Sequence, residues 1–143
     1  MEKYSLRPAQ RSDASAIRRL IWQVGINPIG LDWKRFLVAV DRGGQVIGTG
    51  QIKIHSDGSQ ELASIAVCEE WRHRGVARAI IERLLSNHAG PLYLTCRSQL
   101  VPFYEKFGFQ ELEPGSMPQY FRRIQHLVSL FRGSGHLAIM MRK

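Results

Sequence analysis

Arg72-His73-Arg74-Gly75-Val76-Ala77 stands where an extended segment gives way to a helical one. A helix amino terminus exposes up to four unpaired amides, and its dipole favours an anion. Gly75 lets the backbone come close to such an anion, and Ala77 is small enough for the same purpose. Arg72 and Arg74 add positive field, and His73 stands beside them as a further phosphate contact. The chemistry this pattern offers is phosphate binding; the alternative is a tight turn followed by ordinary packing. It is neither the nucleotide loop G-x-x-x-x-G-K-[ST] nor the dinucleotide fingerprint G-x-G-x-x-G. No C-x-x-C or H-E-x-x-H spacing occurs among the five histidines and two cysteines, so no metal is expected. Cys68 and Cys96 are too few for a disulfide framework and are expected as free, buried thiols.

The elements that must position this turn follow from periodicity. Residues 3–8 read as a strand, and Asp13 as the cap of a helix over 14–24, where Ile17, Leu20, Ile21 and Val24 recur at helical spacing. Residues 36–41, 46–54 and 60–67 read as three strands of an antiparallel meander, with turns at 42–45 and 55–59. From Gly75 to His88 the apolar residues Val76, Ala77, Ile80, Ile81, Leu84 and Leu85 line one helical face, and Gly90-Pro91 stops the helix. A strand over 92–96 then runs parallel to 61–67, because a compact crossover joins them. A short helix over 99–107, with Phe103 and Phe107 in the core, precedes a strand at 109–112. A further amphipathic helix over 119–131 has Tyr120, Ile124, Leu127, Val128 and Phe131 inward. Gly133-Ser134-Gly135 turns the chain into a last strand at 136–141. The fold class is therefore α/β (α+β): a mixed, mostly antiparallel twisted sheet with helices on both faces.

The chain has 143 residues, one domain by length, and 44% apolar with 22% charged residues is globular composition. No apolar run approaches a membrane span, and the amino terminus lacks the apolar core of a signal peptide, so the expected compartment is cytoplasmic. A formal charge of +8 and a pI of about 10.1 favour an anionic partner. Residues 115–143 carry Arg122, Arg123, Arg132, Arg142 and Lys143 and no acid. Aromatic interleaving of the kind that stacks bases is weak, so nucleic acid is not the expected partner.

Ala66-Val67 followed by Arg72-x-x-Gly75-x-Ala77 resembles the acyl-CoA motif R/Q-x-x-G-x-G/A of the GNAT family of N-acetyltransferases. Phe103-Tyr104-Glu105-Lys106-Phe107-Gly108-Phe109 is similar to that family's F/L-Y-x-x-x-G-F signature. The resemblance covers nearly the whole chain, 117–135 being its least family-like part. It implies the GNAT fold and acetyl-CoA as acyl donor, with Ile65, Ala66 and Val67 along the pantetheine arm and Arg72, His73, Arg74, Gly75, Val76 and Ala77 at the pyrophosphate. Arg97 occupies the position where the family often has an asparagine on the cofactor arm, a departure that puts that contact in doubt.

Amine acetylation by a thioester needs a deprotonated amine, a polarised carbonyl and a stabilised leaving thiolate. By the resemblance Tyr104 is the acid, because the family places this hydroxyl near the CoA sulfur; otherwise it is a buried aromatic. Glu61 is the candidate base. It lies six residues before Val67, on the same strand face by period two, and matches the glutamate base of the family's histone-acetylating branch. The competing reading is a solvated carboxylate at a strand start. Glu69 and Glu70 are expected to face solvent or pair with Arg72 or Arg74. Trp22, Asn27, Ile29, Trp33 and Arg35 lie in the segment that shapes the family's acceptor pocket. The implied partner is a small amine or a peptide amine, with the protein a monomer or homodimer. Two alternatives remain open: an acyl-CoA-binding regulatory protein without turnover, and a basic nucleic-acid-binding protein.

Overall fold

The computed structural model describes residues 3–132 and 137–143. Eleven helices and strands follow one another as β1 (Tyr4–Pro8), α1 (Ala14–Val24), β2 (Phe36–Asp41), β3 (Val46–Ile54), β4 (Gln60–Val67), α2 (Val76–Ser86), β5 (Leu92–Arg97), α3 (Val101–Glu105), β6 (Gln110–Glu111), α4 (Gln119–Arg132) and β7 (Leu137–Arg142). The strands form one seven-stranded sheet in the order β1-β2-β3-β4-β5-β7-β6. β1–β2, β2–β3, β5–β7 and β6–β7 are antiparallel. β4 and β5 are parallel, with Glu61 opposite Tyr93, as expected from the 75–88 crossover. By contact the chain divides into two compact units: Met1–Lys53 with Leu62–Ala89, and Ile54–Glu61 with Gly90–Lys143.

In the first unit the unbroken apolar run of β2 is explained by burial on both faces. Phe36, Val38 and Val40 pack with Ile17, Leu20 and Ile21 of α1. Leu37 and Ala39 pack with Val76 and Ile80 of α2. A strand buried on both sides reads as a continuous apolar run rather than an alternating one.

β3 supplies the seat for α2. A Cβ at Gly48 would stand 2.9 Å from Cγ1 of Val76 and 3.0 Å from Cδ1 of Ile80. At Gly50 it would stand 2.6 Å from Cγ2 of Ile80 and 2.9 Å from Cδ1 of Ile65. The two glycines thus strip the strand of side chains where the helix crosses it.

Asp13 does not cap α1 through its side chain. Its carboxylate accepts from both terminal nitrogens of Arg7, at 2.7 and 3.1 Å, and from the Gln10 amide at 2.7 Å. The hydrogen bond from Arg7 outweighs burial and lowers the Asp13 pKa. The residue therefore closes the 3-10 turn Arg11–Asp13 and leaves α1 without a side-chain cap.

The helix expected over 99–107 is two pieces, a 3-10 turn at Ser98–Leu100 and the five-residue α3. Pro102 has no amide to donate to the carbonyl four residues back, which stops an α-helix from running through that turn. Phe103 and Phe107 are only half-buried; Phe109, 1% exposed, takes the core position instead.

In α4 the inward stripe runs through Phe121, which is fully buried with Met117 and Ile139. Leu127 is 51% exposed rather than inward, because six residues at 100° each carry it about 240° round from Phe121. The side chains of Val128 and Phe131, and the turn at 133–135, lie outside the described residues.

Gly50→Ala should be destabilising by about 1–3 kcal/mol, the usual cost of forcing a methyl into a filled core. Denaturant midpoints of parent and variant would read it, and equal midpoints would mean that α2 has room to move outward.

Candidate active site

The turn after β4 is built from backbone. Cys68 donates its amide to Ile47 O at 2.9 Å, and a 3-10 turn covers Glu69–Trp71. Arg72 is extended, His73 takes a φ of +65° and Gly75 a φ of +83° before α2 begins. The bond from Ala79 N–H to Gly75 O, 3.0 Å long, is the first of the helix. The amides of Val76, Ala77 and Arg78 precede it, and among the described residues no side chain caps them. Arg72, His73 and Arg74 are exposed. Arg72 Nε donates to Val67 O at 3.4 Å, and the Arg74 guanidinium lies 5.1 Å over the Trp71 ring. Glu69 and Glu70 are exposed as well. The Val76 side chain is 1% exposed and belongs to the core.

Ser64 interrupts β4 with a φ of +59°. Its carbonyl accepts from Thr49 Oγ1 at 2.8 Å and its hydroxyl from Gln51 Nε2 at 2.8 Å. Beyond it, Ile65 and Val67 pack with α2 while Ala66 packs with α1. The left-handed residue breaks strict alternation, so counting by twos from Glu61 to Val67 no longer assigns them one face.

In the acceptor segment, Trp22 and Ile29 are 68% and 73% exposed. Asn27 Oδ1 accepts from the Ile29 amide at 3.0 Å, and Lys53 Nζ donates to Ile29 O at 2.7 Å. Trp33 packs against the α1 core, and Arg35 is exposed.

The second unit carries the Glu61 and Tyr104 side chains. Glu61 is not a solvated carboxylate; it is 8% exposed, and its Oε1 lies 2.7 Å from Nε2 of His55. The His55 ring stacks on Tyr120 with centroids 3.5 Å apart and 12° between planes. Tyr120 donates its amide to Asp57 Oδ2 at 2.9 Å. Asp57 thereby caps the first turn of α4 from a hairpin 63 residues earlier, and also accepts from Ser59 Oγ at 2.6 Å. The Ser59 hydroxyl and the two amides hold its carboxyl down at about 2. The Tyr120 phenol is pushed up, first by burial and then by Glu61 and Asp57. Sequence analysis missed His55 and Tyr120. The only signal was a histidine and a glutamate flanking one hairpin turn, and nothing local ties either to residue 120.

Tyr104 sits in α3, its ring 5.1 Å from Phe103 and 6.2 Å from Phe109. Burial, with a smaller contribution from Cys96, pushes its hydroxyl up to about 12. Cys96 is buried on β5, its thiol raised to about 11 by burial and then by Glu111. Cys68 is a free, half-buried thiol. Arg97 is exposed at the end of β5. Ile65–Val67 and Arg72–Ala77 thus fall together in the first unit around the β4–α2 connection, while Glu61, Arg97 and Tyr104 belong to the second. Among the described residues no helix is long and apolar enough to cross a membrane.

Residues 32–111 match the sequence model of the acetyltransferase (GNAT) domain. An uncharacterized N-acetyltransferase of Chlorobaculum tepidum is 33% identical over 130 residues, covering 80% of each chain. The chain belongs to the GNAT family and is an acetyl-CoA-dependent acetyltransferase. Solved structures share the fold. N-acetylglutamate synthase of Neisseria gonorrhoeae, complexed with coenzyme A and N-acetyl-glutamate, superposes with a TM-score of 0.78 at 17% identity over 99% of this chain. This chain spans 35% of the synthase's length. The Mycobacterium tuberculosis protein Rv2747, in complex with CoA, gives 0.72 at 22% identity over 96% of this chain and 98% of its own.

A carboxylate held below its ordinary value contributes stability above that value and loses it as pH falls through the depressed one. Asp57→Ala should therefore lower the melting temperature at pH 7, the loss of one cap being about 1 kcal/mol. The gap to the parent should close as pH falls from about 4 to about 2. A gap that is absent at pH 7 would show that α4 does not depend on this cap.

Proposed function

We propose that residues 1–143 work as one GNAT domain that passes the acetyl group of acetyl-CoA to a primary amine by direct attack in a ternary complex. The observation that carries the proposal is the α2 amino terminus, uncapped by any side chain among the described residues and reached through Gly75 at a positive φ. Its amides at Val76 and Ala77, with Arg72, His73 and Arg74 around them, suit the pyrophosphate of CoA. Ile65, Ala66 and Val67 line the pantetheine arm, and Arg97 stands in for the family's usual asparagine. Acetyl-CoA supplies the acyl group as a thioester.

Two side chains divide the proton work. Tyr104, pushed up to about 12, keeps its proton at neutral pH and has one to donate to the departing sulfur. Glu61, buried and hydrogen-bonded to His55, takes the proton of the incoming ammonium. The acceptor is a small molecule or a peptide bearing that amine. The N-acetyl-glutamate bound by the Neisseria synthase favours the small-molecule side. The enzyme works in the cytoplasm as a monomer or homodimer.

A thiol-release assay over amines, amino acids, polyamines and peptides identifies the acceptor. CoA binding without turnover on any of them would leave the acyl-CoA-binding reading in its place. On the acceptor found, Tyr104→Phe should lower kcat by about 10–1000-fold with the KM for acetyl-CoA unchanged, in the range a placed proton donor contributes. Glu61→Gln should be most impaired at low pH, where the amine is charged, and recover as free amine becomes available. A parental kcat in Tyr104→Phe, with chemistry limiting turnover, would remove the acid assignment.

A further inference from the structure

Glu61 does not stand alone in its pocket, and its partner has no role in the mechanism so far. The His55 and Glu61 side chains are each 10% exposed and meet at 2.7 Å. A ring nitrogen and a carboxylate oxygen at that distance need one proton between them. The imidazole has little freedom to leave. Tyr120 covers one ring face, and Phe121 meets it edge-on at 5.8 Å and 89°. Tyr120 is itself held by its amide to Asp57.

We propose that His55 is a positioning residue for proton transfer, making Glu61 one half of a pair that takes up a single proton from the acceptor ammonium. The inference rests on Glu61 being the base. The groups facing the imidazole are Glu61 from β4, Asp57 from the hairpin turn and Tyr120 from α4. With carboxylate and neutral imidazole the pair has a net charge of −1. When the ammonium N–H bond breaks, its electrons remain on nitrogen as the attacking lone pair and the proton goes to the Glu61 carboxylate. The ring N–H of His55 stays on the carboxyl group and holds it in place, so the pair passes from −1 to zero without losing its contact. The proton returns to solvent before the next turnover.

The test is the pH dependence of kcat and kcat/KM for the parent, His55→Gln, Glu61→Gln and the double variant, on one identified acceptor. Glutamine keeps an N–H to donate but lacks the ring that Tyr120 and Phe121 hold in place. His55→Gln is expected to lose about tenfold in kcat near pH 7 with both KM values unchanged. The double variant should be no worse than Glu61→Gln alone, as for two residues acting as one. Should His55→Gln fail to fold, Tyr120→Leu, which removes the stacking ring and leaves the pair, is expected to lower kcat in the same direction. A parental profile in His55→Gln, or in Tyr120→Leu where that variant decides, overturns the proposal. The two readings fail separately. An impaired Glu61→Gln beside a parental His55→Gln removes only the pairing, whereas a fully active Glu61→Gln removes Glu61 as base and the pairing with it.

Discussion

The first unit depends on how closely α2 lies on the sheet. Two missing side chains set that distance. Gly48 and Gly50 leave the α2-facing side of β3 bare, and Val76, Ile65 and Ile80 fill the space a Cβ would need. Because α2 is seated there, its first residue is pinned in the core through Val76 while the residues before it stay on the surface. A helix start that buries its first side chain and has no side-chain cap among the described residues is of the kind that suits an anion. Hydrophobic packing on one side of the helix thus fixes where the polar groups at its end can act.

The second unit organises its polar groups by a different route. Asp57 caps α4 from across the fold, the cap places Tyr120 against His55, and the stack aims the imidazole at Glu61. Each link is a short, directional contact, and a buried carboxylate without such a partner would be costly. Both units therefore use backbone amides at a helix start. Among the described residues one set has no side-chain cap, and the other is capped by a carboxylate.

The elements were legible in the sequence wherever burial was one-sided or periodic. The bounds of α1, β2, β3 and β4 coincide with those read from the residues, because Asp41, Gly44 and Gly58 punctuate strong apolar patterns. The Arg72–Ala77 turn was legible for the same reason, being a local signal at a strand–helix junction. What escaped was non-local. Asp13 looks like a cap by position but is claimed by Arg7 across a turn. Leu127 fits a heptad with Tyr120, yet the inward direction is set by Phe121, one residue on. Ser64 gives no sign in its type that its φ is positive. His55 acquires meaning only beside Glu61 and Tyr120, the latter 65 residues away in sequence.

The central claim is that the backbone amides opening α2 take the pyrophosphate of acetyl-CoA. Titration of the 15N-labelled protein with CoA, followed by amide chemical shifts and repeated with pantetheine, which lacks the pyrophosphate, tests it most directly. The account predicts that the largest CoA-induced shifts fall on Gly75, Val76 and Ala77 and that pantetheine leaves these three unmoved. Saturation by CoA with those amides unchanged would contradict it.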